Sequence, residues 1–301
     1  MIYNQQAMPS PLICPKCGSH SVAWNQKPEQ FQCIMCKVFF ENEEHIEKYF
    51  YKLDLVDWNL EEIPAWIFPR WYLKKIDLSS EPNDSFHAPF CNQIQSIPPE
   101  IRFLESLEEL DISNNCIEHI PPEIGKCQSL RKLLLGRNMI GNIPNEIGNL
   151  KNLDELSLGY NQLDSLPPGI GGLRNLSWLW LDNNNLSSLP IEIGNLGNLE
   201  SLLMNENKLE KLPPGIGNLK RLKKILLRKN KLKTLPEEIG LLADLETLDL
   251  EDNKLESLPR SITNLKKLKE LTLSGNPGLN SPPYYIAVRG IQAIKDWFNE
   301  K

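Results

Sequence analysis

The amino-acid sequence predicts an α/β repeat solenoid, in which short parallel strands stack into one sheet over a continuous apolar core. Two observations predict this fold class: a unit of 23 residues recurs in phase, and every unit carries the same spacing of leucines around one asparagine. Eight copies in phase do not arise by chance. The recurring asparagines are Asn115, Asn138, Asn161, Asn184, Asn207, Asn230, Asn253 and Asn276.

Each repeat reads LxxLxLxxNxLxxLPxxIGxLxxL, as in the stretch that begins at Leu153. Leu156 and Leu158 lie two residues apart, so their side chains share one face of a short strand that a single repeat cannot bury. Stacking on the neighbouring repeats buries that face. The amide of Asn161 can both donate and accept hydrogen bonds, so we expect stacked repeats to form an asparagine ladder.

The pattern extends beyond these asparagines to about ten repeats. One upstream unit fits if about eleven residues near Glu81 to Cys91 are inserted, and an earlier unit has Trp58 where asparagine is expected. Downstream, four apolar residues share one face of a predicted capping helix: Ala287, Ile291, Ile294 and Phe298. The sequence thus predicts three parts: a small N-terminal knuckle with four cysteines over residues 1–42, the repeat array over residues 43–282, and the capping helix over residues 283–301.

From residue 50 to 290 the chain resembles the leucine-rich-repeat superfamily, and its LPxxIGxLxxL half is similar to the Ras-group and bacterial-type subfamily. The segment from Pro282 to Ile294 is similar to the end of the arrays in Roco-type proteins. Those proteins carry a GTPase after the array, and we expect none here. The resemblance implies a curved horseshoe with the strands on its concave face, and protein–protein interaction as the usual role. It names no partner, because members of the superfamily bind many different molecules.

Charge and cysteine usage narrow the function further. The net charge of −6 and the pI of about 5.4 give no positive field for nucleic acid or an anionic membrane. The first residues lack a secretory h-region, and no stretch approaches 18 apolar residues. The odd count of seven cysteines favours a reducing compartment. We therefore expect a monomer in the cytoplasm with no membrane partner.

Four cysteines near the N-terminus have the spacing C-x2-C-x15-C-x2-C, which resembles a zinc ribbon. They are Cys14, Cys17, Cys33 and Cys36. Four unbound thiols and a disulfide cap, of the kind that extracellular arrays carry, are the alternatives, and His20 could compete as a ligand. Four protein ligands leave no open position on the metal, so we expect a structural Zn²⁺. The acidic surroundings argue against nucleic-acid binding by this segment.

Outward-facing residues of the strands predict the binding site. The positions that flank the middle leucine of LxxLxLxxN point away from the core, and most are polar. In mid-array they are apolar, and exposed patches of this kind commonly mark interaction sites. The alternative is that Trp178 and Trp180 merely pack on each other. The predicted partner-binding residues are Leu134, Tyr160, Trp178, Trp180, Leu203, Leu226 and Arg228.

The charged repeats and the insertion each have a purely structural and a functional interpretation. A basic repeat is followed by an acidic one, which predicts either cross-strand ion pairs or a charged rim for the partner. Their residues are Lys223, Lys224, Arg228 and Lys229, and then Glu246, Asp249, Glu251 and Asp252. The insertion near residues 81–91 is either a functional loop or a tolerated one.

The sequence favours a binding protein over an enzyme. It contains no GxxxxGK, HExxH or GxSxG motif, and its four histidines are scattered. Cys127 replaces a core leucine, so we expect a buried small side chain. The predicted function is a non-catalytic scaffold that binds a protein or peptide on the concave face. The alternatives are a regulatory or specificity subunit of an enzyme complex and a nucleic-acid-associated protein acting through the ribbon.

Overall fold

The structure is a computed structural model, which describes residues 51–70, 72–80 and 92–300, and the backbone of three short strands nearer the N-terminus. Within these ranges, ten strands form one parallel sheet in chain order. They are β4 (Lys52–Asp54), β5 (Lys75–Asp77), β6 (Glu109–Asp111), β7 (Lys132–Leu134), β8 (Glu155–Ser157), β9 (Trp178–Trp180), β10 (Ser201–Leu203), β11 (Lys224–Leu226), β12 (Thr247–Asp249) and β13 (Glu270–Thr272).

The strands form because the alternating leucines have only one way to be buried. The middle residue of each strand points into the core, and Leu179 of β9 lies in register with Leu156 of β8 and Leu202 of β10. All three side chains are fully buried. The predicted leucine-rich-repeat solenoid, with its parallel sheet on the concave face, is confirmed.

The return path of each repeat is a short 3-10 helix. Those among the described residues are Ala65–Ile67, Pro99–Phe103, Pro122–Lys126, Asn145–Asn149, Pro168–Gly172, Ile191–Asn195, Pro214–Asn218, Glu237–Leu241 and Arg260–Asn264. Each follows a proline in extended conformation, such as Pro167 before the segment that contains Gly171. A Cβ on Gly171 would lie 2.6 Å from the carbonyl oxygen of Glu192 in the next repeat, so the glycine permits the close stacking.

The recurring asparagines form the expected ladder. The side-chain amide of Asn161 donates to the carbonyl oxygens of Leu135 at 3.0 Å and Leu158 at 3.1 Å, and its Oδ1 accepts the Ile140 N–H at 2.9 Å. Asn92 continues the ladder upstream and donates to the carbonyl oxygens of Leu55 in the preceding repeat and Leu78 in its own repeat. Asn92 directly follows the insertion of eleven residues. It therefore fills the asparagine position of its repeat, eleven residues later in the chain than the repeat pattern would place it.

The C-terminal cap consists of two helices rather than one. α1 (Tyr284–Ala287) and α2 (Ile291–Asn299) are separated at Gly290, whose φ of 94° ends the helical path. The predicted apolar face nonetheless covers the end of the core: Ala287, Ile294 and Phe298 are buried, and Ile291 packs against them. None of the described helices is long and apolar enough to cross a bilayer.

The three N-terminal strands form a separate antiparallel sheet. They are β1 (Val22–Trp24), β2 (Phe31–Cys33) and β3 (Phe39–Phe40), in the order β1-β2-β3. Val22 pairs with Cys33, and Phe31 pairs with Phe40. The cysteine side chains of the predicted knuckle, and the whole of the insertion over residues 81–91, lie outside the described residues.

Candidate functional site

Strand β9 presents two tryptophans on the concave face. Trp178 and Trp180 are 48% and 38% exposed, whereas Leu179 between them is fully buried. This contrast follows from the two-residue alternation of a strand. Two further residues of the predicted site, Tyr160 at 42% exposure and Arg228, also lie at the surface.

Trp180 belongs to a transverse line of outward side chains that crosses five strands. Leu134, Ser157, Trp180, Leu203 and Leu226 are successive register partners from β7 to β11. Among them the three leucines are half-buried and Ser157 is buried. We refer to Leu134, Trp180, Leu203 and Leu226 as the apolar row. Apolar side chains that are at least partly exposed therefore occupy four of these five strands on the concave face.

The indole of Trp180 is held in place from two sides. Its Nε1–H donates to Oδ2 of Asp182 at 2.7 Å, and Oδ1 of the same carboxylate accepts the Asn205 N–H at 2.6 Å. Burial raises the pKa of Asp182 above its ordinary value, against the lowering effect of these two hydrogen bonds. The ring also covers Gly159, where a Cβ would lie 3.0 Å from the indole nitrogen. Trp180 is therefore preorganised for contact with a partner.

A cavity of about 220 Å³ opens beside Trp180 on the N-terminal side of the apolar row. The guanidinium of Arg137 lies 4.4 Å from the centre of the Tyr160 ring, a cation–π contact. Both residues have positive φ, as does the residue before each ladder asparagine from Asn115 to Asn276. The cavity is lined by Ser113, Asn114, Leu134, Gly136, Arg137, Glu155, Ser157, Gly159, Tyr160 and Trp180. We refer to it as the Trp180 cavity.

Sequence analysis did not single out Gly136, Gly159 or Arg137. Gly136 and Gly159 occupy the same position in successive repeats, LLLGRN and LSLGYN, where most repeats have a polar side chain. Two successive glycines at one repeat position were the signal that could have located the cavity. Without a side chain, Gly136 stays half-exposed, whereas Gly159 is buried and lies against the Trp180 indole.

Charged residues of the basic repeat are largely engaged in ion pairs. Lys223 pairs with Glu200 at 2.7 Å and Lys229 pairs with Glu206 at 2.7 Å, both in the preceding repeat. Arg228 instead contacts two carboxylates of the following acidic repeat, at 3.2 Å and 3.6 Å. These contacts favour the ion-pair interpretation, although exposed pairs of this kind contribute little stability. Whether Arg228 contacts a partner remains a prediction.

A second, more polar cavity of about 280 Å³ lies over β4 to β7. Lys75 and Glu109 form an ion pair of 2.8 Å at its wall. Burial raises the pKa of Asp111, against hydrogen bonds from the hydroxyl and N–H of Ser113. Leu134 lines both cavities, so the apolar row begins where this charged surface ends.

The predicted zinc site cannot be placed on the structure. Cys14, Cys17 and Cys36 lie outside the described residues, and only the backbone of Cys33 is described, at the end of β2. Elsewhere in the described ranges, no three histidines, cysteines, aspartates or glutamates come together as a metal site. Cys127 is buried as its repeat position predicts, and burial raises the pKa of its thiol to about 12.

Models of repeat families match much of the chain. The model described as "Leucine rich repeat" matches residues 91–140 and 128–186. Further models, described as "Leucine Rich Repeat" and "Leucine-rich repeat region", match residues 198–219 and 215–282. No curated protein matches the chain.

Several solved structures are similar over most of the array. A leucine-rich-repeat protein of Leptospira interrogans is 35% identical with a TM-score of 0.65, and the match covers 79% of this chain and 64% of that one. The leucine-rich-repeat domain of the type III effector XopL is 29% identical with a TM-score of 0.57, over 65% of this chain and 70% of that one. The Arabidopsis receptor kinase HAESA, solved with the peptide hormone IDA and a co-receptor, is 29% identical with a TM-score of 0.62, over 77% and 39%.

Proposed function

Because the chain is a leucine-rich-repeat protein, we propose that it is a non-catalytic scaffold that binds a protein or peptide partner on the concave face of its array. The observation that carries this proposal is that Trp178 and Trp180 are exposed beside the half-buried leucines of the apolar row, on a sheet whose strands are hydrogen-bonded to their neighbours. Tryptophans in such positions are enriched among the residues that dominate binding energy.

The rigidity of the surface supports a binding role over a packing role. Trp180 is fixed by Asp182 and by the backbone of Gly159, so little conformational freedom is lost when a partner covers it. Trp178 and Trp180 stay 48% and 38% exposed, so contact with each other does not hide them. The partner-binding residues that we propose are Leu134, Tyr160, Trp178, Trp180, Leu203, Leu226 and Arg228.

The similar structures agree with this choice of partner class. HAESA was solved with a peptide hormone, and another plant receptor, RGFR1, was solved with the peptide RGF2. This chain spans 39% and 38% of the length of those chains, so their ligands indicate a class of partner and not its identity.

Affinity capture with a double variant tests the proposal. Tagged protein with Trp178→Ala and Trp180→Ala is compared with wild type by mass spectrometry of the proteins retained from native lysate. The matched control is Ile191→Ala with Leu241→Ala, which removes two side chains of 63% and 51% exposure from the 3-10 segments on the other side of the array. We expect partners that wild type and control retain and the tryptophan variant loses. Equal recovery by all three proteins would contradict the proposal.

We propose separately that Cys14, Cys17, Cys33 and Cys36 hold one structural Zn²⁺. Their spacing supports this, and so does the antiparallel pairing of the strand that ends at Cys33, since the residues between two CxxC pairs suit a hairpin. Elemental analysis of the purified protein should find one zinc per chain, and none after all four cysteines are changed to serine. A cytoplasmic location is part of the same proposal, because the thiols must stay reduced to bind metal.

A further inference from the structure

One backbone N–H recurs at the concave edge of every repeat, two residues after the end of each strand. We refer to it as the exit amide. In four repeats the aspartate that ends the strand accepts it: Asp77 accepts the Ser79 N–H at 3.1 Å, and Asp111 accepts the Ser113 N–H at 2.9 Å. Asp54 and Asp249 do the same at 3.4 Å and 3.0 Å. In these four repeats the acceptor of the exit amide is therefore a carboxylate oxygen.

Three successive repeats in the middle of the array lack this arrangement. The strands β7, β8 and β9 end in Leu134, Ser157 and Trp180, and the exit amides of Gly136, Gly159 and Asp182 donate no hydrogen bond to any of the described residues. In the next two repeats the exit amides of Asn205 and Arg228 are again occupied, by Asp182 and Asn205. Backbone donors without a protein partner need water or a ligand.

Two of these free exit amides lie in the wall of the Trp180 cavity. Gly136 and Gly159 both line it, and neither has a side chain that could cover its own N–H. Because the two residues follow adjacent parallel strands at the same repeat position, we expect their amides to be about 4.8 Å apart. The aspartates that occupy equivalent amides in other repeats are concave-face side chains, so the free N–H groups are directed to the same face.

Charge at the cavity is suited to an anion. Arg137 places its guanidinium at the cavity, and the residue has no ion pair within the described part of the chain. Glu155 also lines the cavity, but its carboxylate is paired with Lys132 at 2.9 Å. Leu134 and Trp180 contribute apolar side chains to the same wall. A ligand with an acidic group next to an apolar group would complement these donors and the apolar wall.

We propose that the Trp180 cavity binds the carboxylate of an aspartate side chain in a partner peptide, with the exit amides of Gly136 and Gly159 as donors. An aliphatic or aromatic neighbour of that aspartate packs on Trp180. The proposal rests on the concave face being the binding surface and specifies what that surface recognises. The ligand supplies the carboxylate that Asp77 and Asp111 supply elsewhere, and charge-assisted hydrogen bonds of this kind are the strong ones.

Amide chemical shifts test this proposal directly. ¹⁵N-labelled protein is titrated with acetyl-Asp-Leu-amide, and the amide protons of Gly136 and Gly159 are followed. We expect saturable downfield shifts at both glycines and none at Ser113, whose amide is already occupied. Acetyl-Asn-Leu-amide should bind about tenfold more weakly, because its uncharged oxygen accepts weaker hydrogen bonds. The absence of shifts at both glycines, or equal affinity for both probes, would overturn the proposal.

A variant provides a second, independent measurement. Ser157→Asp places at the end of β8 the aspartate that β5 and β6 carry side by side at the same repeat position. We expect the Gly159 amide to shift without any probe and the affinity for acetyl-Asp-Leu-amide to fall at least tenfold. The control Ser201→Asp adds the same charge to β10, where Asp182 already occupies the exit amide of Asn205, and should keep wild-type affinity.

The two proposals fail separately. If the probe does not shift the glycines but the tryptophan variant still loses its partners, the carboxylate site is wrong and the concave docking surface stands. If the probe binds and the tryptophan variant keeps every partner, the carboxylate site stands and the docking surface around the tryptophans is wrong.

Discussion

The asparagine ladder allows a worked prediction of stability. Asn184 follows the tryptophan strand β9 and is only 7% exposed. Its side-chain amide donates to the carbonyl oxygens of Leu158 at 2.9 Å and Leu181 at 3.1 Å, and its Oδ1 accepts the Leu163 N–H at 2.9 Å. Asn184→Ala removes these three hydrogen bonds from the interior of the array, together with a longer, part-buried one of 3.3 Å to the carbonyl oxygen of Asp182.

The three lost hydrogen bonds are not equivalent. The carbonyl of Leu158 keeps a donor from Asn161 at 3.1 Å, and that of Leu181 keeps one from Asn207 at 2.9 Å. The N–H of Leu163 is left buried without an acceptor. An unsatisfied buried donor costs about 1–3 kcal/mol and each lost neutral hydrogen bond about 0.5–1.5 kcal/mol. We therefore expect Asn184→Ala to lower the free energy of unfolding by about 2–6 kcal/mol.

Urea denaturation followed by circular dichroism measures this loss, with Asn175→Ala as the matched control. Asn175 also bridges two repeats, through its side-chain amide and the carbonyl of Lys151 at 2.9 Å, but it is exposed. Water replaces its partner, so we expect a change within about 0.5 kcal/mol. Because repeat arrays can unfold in parts, hydrogen exchange of the Leu163 amide serves as a local measurement. Equal losses for the two variants would refute the reasoning.

Two more predictions concern the core and the stacking of the repeats. Gly171→Ala should destabilise by about 1–3 kcal/mol, since its Cβ would lie 2.6 Å from the Glu192 carbonyl oxygen, whereas Gly197→Ala, with no atom within 4 Å, should not; urea denaturation compares them. Burial holds the pKa of the Cys127 thiol at about 12 instead of 9.0, so iodoacetamide at pH 8 should leave it unmodified in a mass-spectrometric peptide map of the native protein. Only the unfolded thiol ionises between these values, so Cys127 should lower stability progressively as pH rises above 9, an effect that Cys127→Ala should remove.

The repeat and the sheet were predictable because the leucine spacing admits one burial solution. Leu156 and Leu158 must face the same side of a strand, and 23 residues later their counterparts must do so again. The same alternation directs Trp178 and Trp180 outward. The break in the cap at Gly290 was not predicted, because a continuous apolar stripe can be formed by two short helices as well as by one.

The Trp180 cavity was harder to predict because it depends on side chains that are missing. Gly136 and Gly159 line the cavity because they have no side chain to fill it. A glycine is neither reactive nor apolar enough to indicate a binding site by itself. The direction of the ion pairs was also beyond the sequence. Lys223 could reach an acidic residue in either neighbouring repeat, and the pairing with Glu200 at 2.7 Å is decided by side-chain packing.

In several repeats an aspartate at the end of the strand accepts the exit amide, and the candidate site lies among repeats that lack this aspartate. β4, β5, β6 and β12 end in aspartates that occupy their exit amides, which leaves no free donor there. From β7 to β9 the strand ends in leucine, serine or tryptophan, so the same backbone exposes donors next to apolar surface. An exit amide is thus closed either by the aspartate that ends its own strand or by a side chain of the preceding repeat, as Asp182 and Asn205 show. Selectivity for a partner in such an array follows from residues that differ from the repeat consensus, because the consensus side chains already form their hydrogen bonds within the array.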